Sequence, residues 1–76
     1  MNKRKQRFME KLGKILQEER KSRKKSQCSV AELIGVHQTA LSRIEWGAQQ
    51  MTVYEFSILC KDFNLDPSDI LRQIHL

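Results

Sequence analysis

The chain has 76 residues, 39% hydrophobic and 30% charged, with a net charge of +5. So short a chain buries only about 60–65% of the surface its unfolded form exposes, which leaves room for one domain, residues 1–76, and none for a separate sensor or catalytic unit. Apolar runs stop at two or three residues and no apolar stretch follows the basic N-terminus, so a membrane span and a secretion signal are not expected and the protein is expected to be cytoplasmic.

The charge is uneven. Residues 1–25 carry 11 Lys and Arg against 3 Glu, a net +8, whereas residues 26–76 carry 3 against 6, a net −3. A basic segment beside a nearly neutral body suits a polyanion, because Lys and Arg displace the counterions condensed on phosphates; a merely solvated terminus is the alternative. Cys28 and Cys60 stand 32 positions apart, without CxxC or Cys/His spacing, so neither a metal site nor a disulfide framework is expected. No cofactor is implied.

A basic arm over residues 1–6, possible as a flexible segment, precedes a first helix over about residues 6–21. There Phe8, Leu12, Ile15 and Leu16 recur at helical spacing and Arg20 lies at the edge of their stripe. Residues 21–25 form a polar connector. Ser26 caps a short helix over 27–34 that ends at Gly35, and after a turn at Val36 and His37 a third helix covers 38–46 and stops at Gly47. Thr52 with Glu55 three residues later forms a capping box for a fourth helix carrying Phe56, Leu59, Cys60 and Phe63. Asn64 tolerates the turn that follows. Asp66 caps a fifth helix with Pro67 at its first position and Asp69 in its first turn, bearing Ile70, Leu71 and Ile74.

Residues 27–46 thus place two short helices around a glycine-containing corner, a helix-turn-helix. On a helical wheel Gln38, Ser42, Trp46, Thr39 and Arg43 fall within an arc of about 140°, and Ala40, Ile44 and Leu41 lie opposite, between about 200° and 300°. The polar arc therefore faces outward. Such an arc suits a DNA major groove, since Gln pairs with adenine, Arg with guanine, and Thr touches the thymine methyl.

Ser26-Gln27, Ala31, Gly35-Val36, Gln38, Leu41-Ser42, Ile44-Glu45, Gly47, Leu59-Cys60 and Phe63 together resemble the phage-repressor or Cro-type (XRE) helix-turn-helix family, over roughly residues 12–71. The resemblance implies a compact all-α fold, the five-helix lambda-repressor-like domain, with the helix-turn-helix as helices 2 and 3. It also implies site residues. Gln38, Thr39, Ser42 and Arg43 match base-contacting positions, with His37 at the turn near a base or a phosphate. Gln27 matches a phosphate contact. Gln49 and Gln50 lie where relatives often touch phosphate, or are loop polars. Arg20 and Glu45 match a semi-buried structural ion pair. The chain departs from the pattern at His37, where a Ser or Thr usually caps, at Met51 in place of proline, and at Asn64 in place of glycine.

Lys3, Arg4, Lys5 and Arg7 would add phosphate or minor-groove contacts. Trp46 would cover the core edge or a backbone sugar. Tyr54, Ile58, Leu76 and Leu71 or Ile74 would form a dimer contact or be scattered surface apolars. Cys28 is expected near the surface without a basic neighbour in sequence, and Cys60 in a small buried slot. With only His37 and His75 as neutral-pH bases and no phosphate loop, catalysis is not expected.

The expected function is a prokaryotic or phage-encoded transcription regulator, a repressor that binds double-stranded DNA at a pseudopalindromic operator as a homodimer, acting at the nucleoid without a membrane. An antitoxin of a toxin–antitoxin pair, with the toxin or a co-regulator as partner protein, and a restriction–modification controller are alternatives of the same mechanism. A protein-interaction module without specific DNA binding is the alternative of another class.

Overall fold

The computed structural model describes residues 2–74. Five helices follow in order: α1 Lys3–Ser22, α2 Gln27–Ile34, α3 Gln38–Trp46, α4 Val53–Asp62 and α5 Pro67–Gln73. No strand occurs among the described residues. α1 packs on α3 and α5, and α2 packs on α3 and α4, so α3 is held from behind by two helices. Leu16, Val30, Ala31, Ile34, Leu41, Ile44, Leu59 and Phe63 form the core, with Leu12, Val36, Met51, Phe56, Ile58 and Leu65 packed at its edge.

Most helix ends follow the local rules. Ser26 Oγ accepts from the Ser29 amide at 3.1 Å. Thr52 and Glu55 exchange both bonds of the capping box, at 3.1 and 3.0 Å. Asp66 accepts from the amide and the hydroxyl of Ser68 at 2.9 and 2.8 Å, and these bonds hold its carboxyl below the usual carboxylate range. Gly35 and Gly47 close α2 and α3 in the left-handed conformation, each at φ 78°, and Asn64 takes the same region after α4 at φ 55°.

Two expectations for the first helix need correction. The helix begins at Lys3, because Asn2 Oδ1 caps it by accepting from the amides of Arg4 and Lys5 at 2.8 and 3.4 Å. Lys3, Arg4 and Lys5 therefore form its first turn and are not a separate arm. The buried line is Met9, Gly13, Leu16 and Arg20, while Phe8, Leu12 and Ile15 are half-buried beside it. Counting large apolar residues misplaced the stripe because its centre is a glycine. A Cβ on Gly13 would collide with the carbonyl oxygen of Ile44 and lie 2.6 Å from that of Glu45, so α1 meets the backbone of α3 directly there.

Arg23, in the connector, fastens the far end of α1. Its guanidinium bonds Glu19 Oε1 and the Phe63 carbonyl, both at 2.7 Å, and lies 4.5 Å over the Phe63 ring, a cation–π contact. Of the apolar residues set aside for a dimer contact, Ile74 is buried and Ile58 packs against the core. Tyr54 and Leu71 remain exposed, joined by Val53; Leu76 lies outside the described residues.

Candidate nucleic-acid interface

The corner between α2 and α3 is built by backbone bonds. Val36 donates its amide to the Ala31 carbonyl at 2.9 Å and Gly35 to that of Glu32 at 3.2 Å, satisfying the last carbonyls of α2 as the chain reverses. His37 then occupies the cap of α3, and its side chain makes no capping bond, which is the local consequence of imidazole standing where a hydroxyl would reach back. His37 is exposed at this corner.

α3 divides as the wheel requires. Leu41, Ile44 and Glu45 are buried, Ala40 and Ser42 half-buried, and Gln38, Thr39, Arg43 and Trp46 exposed. Four of the five arc residues thus stand clear of the core, and Ser42 sits at its margin. Trp46 is 76% exposed, so its ring does not cover the core edge. With Glu10, Lys14, Gln17 and Glu45 it lines a shallow groove between α1 and α3 of about 320 Å³.

Behind the exposed arc lies a polar network anchored on Glu45. Arg20 meets its carboxylate with two parallel bonds, Nε to Oε2 at 2.7 Å and Nη2 to Oε1 at 3.1 Å. This is the ion pair expected from the sequence, with side chains only 9% and 2% exposed. Arg20 Nη1 also donates to the Lys25 carbonyl at 2.8 Å. Gln27 Nε2 donates to Glu45 Oε1 at 2.9 Å, so the residue expected to touch phosphate also belongs to this network. From Gln27 the chain of bonds continues outward, Gln38 Nε2 donating to Gln27 Oε1 at 3.4 Å and Cys28 Sγ donating to Gln38 Oε1 at 3.1 Å. Every buried side-chain polar atom among the described residues has a partner, as a buried ion pair requires if it is not to destabilise the fold.

The flanks carry the remaining expected residues. Lys3, Arg4, Lys5 and Arg7 are exposed in the first turns of α1, and no acidic residue balances that turn. Cations at a helix N-terminus oppose the helix dipole, so this local arrangement favours an outside anion. Gln6 brings that turn against the end of α3, donating to the Gly47 carbonyl at 3.3 Å. Gln49, half-buried, and Gln50, exposed, lie in the segment between α3 and α4. Cys60 is buried, and burial, reinforced by Asp66, pushes its thiol above the ordinary range. No cluster of residues suited to a metal occurs among the described residues, and none of the described helices is long and apolar enough to cross a membrane.

The sequence reading missed Gly13, Arg23 and the link from Cys28 to Gln38. A glycine inside an otherwise strong helical pattern was the available signal for the first. For Arg23 the i,i+4 spacing from Glu19 was a partial signal, whereas its bond to Phe63 and the Cys28–Gln38 link depend on how the helices pack.

A short helix braced on one face and presenting Gln, Thr and Arg on the other, at a glycine corner within five helices, is the architecture of a DNA-binding transcription regulator. The helix-turn-helix family model HTH_3 matches residues 16–70, and the chain belongs to that family, in the phage-repressor (XRE) type that its residues resemble. No curated protein sequence matches it. Among solved structures it is similar to the clp gene regulator ClgR from Corynebacterium glutamicum, at 22% identity over 88% of this chain and 71% of that one, with a TM-score of 0.80. A second ClgR structure aligns at 22% identity over 88% and 86% of the two chains, with a TM-score of 0.79. The restriction-modification controller protein C.AhdI from Aeromonas hydrophila aligns at 22% identity over 82% and 94%, with a TM-score of 0.74. At this identity the likenesses establish the fold.

Proposed function

We propose that the chain represses transcription inside the cell by binding a pseudopalindromic operator as a homodimer, each α3 entering one of two successive major-groove faces about 34 Å apart. The observation that carries this reading is the division of α3, whose Leu41, Ile44 and Glu45 are buried in the fold while Gln38, Thr39 and Arg43 are exposed to solvent. Gln38 pairs with adenine, Arg43 with guanine, Thr39 meets a thymine methyl, and Ser42 and His37 add contacts at the margins of the arc. Lys3, Arg4, Lys5, Gln27, Gln49 and Gln50 contact phosphates and set the register.

A controller protein of a restriction system is the second reading, favoured by the likeness to C.AhdI over 94% of that chain. It uses the same DNA-binding surface, as would an antitoxin, and a neighbouring methyltransferase or toxin reading frame decides between them.

Selection of bound sites from a random duplex pool tests the proposal, because two half-sites spaced by a helical turn report both sequence and dimer geometry. On the selected operator Arg43→Ala should cost about 1–3 kcal/mol and relax one base position, whereas Lys5→Ala should weaken all sequences alike. Affinity should fall by orders of magnitude between roughly 50 and 200 mM salt. Equal losses on operator and random DNA for Arg43→Ala, or binding indifferent to salt, would instead favour a protein-interaction surface.

A further inference from the structure

We propose that Cys28 is a positioning residue that determines specificity, its thiol acting with Gln27 to fix the side-chain amide of Gln38 in the orientation that reads adenine. The inference rests on α3 being the recognition helix.

Glu45 is paired with Arg20, and a carboxylate in such a pair only accepts hydrogen bonds. Gln27 must therefore turn its NH₂ group inward, as the 2.9 Å bond shows, and this leaves Gln27 Oε1 facing Gln38. An oxygen there accepts, so Gln38 must turn its own NH₂ toward it, at 3.4 Å. The remaining Gln38 atom, Oε1, then faces Cys28, and the thiol supplies the matching donor at 3.1 Å. Reversing the Gln38 amide would set two oxygens against each other at Gln27 and offer an NH₂ group to sulfur, a weak acceptor. The polarity of a surface amide is thus dictated by a buried carboxylate two residues away in the network.

What remains free on Gln38 follows from its inventory. An amide carries two hydrogens and two carbonyl lone pairs; one of each is used internally, leaving one donor and one acceptor. Adenine presents the complement in the major groove, an N7 acceptor beside an N6 amino donor, whereas guanine presents two acceptors. Holding the amide in one orientation makes the discrimination available without a reorientation cost on binding. Cys28 is exposed on the same surface and holds the outer end of this chain of bonds, where Gln38 would otherwise rotate.

The test uses the full chain and the operator it selects from a random duplex pool, with every operator base changed singly. For wild type, Cys28→Ala, Cys28→Ser, Gln38→Ala and the Cys28→Ala/Gln38→Ala double variant, the readout is the ratio of affinities for the parent and each changed site. Cys28→Ala should lower adenine-over-guanine discrimination at one position by about three- to tenfold, the worth of one weak hydrogen bond. Cys28→Ser, which keeps a donor, should restore it. Gln38→Ala should abolish discrimination at that same position, and adding Cys28→Ala should change nothing further. The inference is overturned if Cys28→Ala leaves the profile unchanged, lowers every position equally, or adds its loss to that of Gln38→Ala. A failure of the wider reading looks different: wild type then enriches no sequence from the pool, and this inference falls with it.

Discussion

Where α1 meets α3 the backbones approach until Gly13 has no room for a methyl group, and the Arg20–Glu45 pair is sealed in beside it. At the other end, α4 and α5 are started by bonds that span two or three residues, from Thr52 to Glu55 and from Asp66 to Ser68. The first region uses partners far apart in sequence and fixes the angle at which α3 leaves the core. The second uses neighbours and fixes only that a helix begins. Damage to the first should therefore reach both stability and DNA reading; damage to the second should stay with stability.

The largest test is Glu45→Ala, which strands a buried guanidinium and should cost about 3–5 kcal/mol in urea unfolding. Replacing both partners, as Arg20→Met with Glu45→Leu, should return most of that stability. Operator selectivity should not return with it, because Gln27 loses the carboxylate that orients it. Recovery of both together would erase the distinction between the two regions.

Gly13→Ala comes next, at about 1–3 kcal/mol for overpacking against a carbonyl that cannot turn aside. It should also weaken operator binding beyond what the loss of folded protein explains, measured well below the melting temperature. Thr52→Ala should cost about 1 kcal/mol, the usual worth of a cap, with an unchanged pattern of preferred sites; a shifted pattern would mean that the α4 start also sets α3.

The smallest effect concerns pH. Because the folded chain holds Asp66 below the ordinary carboxylate range, its contribution is present above that range and is lost as pH falls through it toward the lowered value. Asp66→Asn should flatten slightly the acid side of a stability–pH profile, without moving the neutral plateau's DNA preference.

The same contrast explains what could be read from the amino acids alone. Caps and stops at Ser26, Gly35, Gly47, Thr52 and Asp66 announce themselves because cause and effect lie within one helical turn. The outward arc of α3 was legible for a similar reason, since Leu41 and Ile44 fix the inward side of a nine-residue helix. Asn2 caps α1, but in the sequence the charge beside it is the stronger signal, so the first turn looks there like an arm. The rest depends on helix crossing. Gly13 carries no side chain to count, and the run from Glu45 through Gln27 and Gln38 to Cys28 exists only once α2 and α3 are docked. Arg20 and Glu45 were paired through the family resemblance; 25 positions of sequence separate them.

Trp46 is the only tryptophan of the chain, and its indole stands 76% exposed at the last residue of α3. Indole emission responds to the water around the ring, so whatever settles over the end of α3 changes the colour or brightness of the protein's own fluorescence. Docking there can therefore be followed optically on the unlabelled chain, with the signal arising at the end of α3 itself.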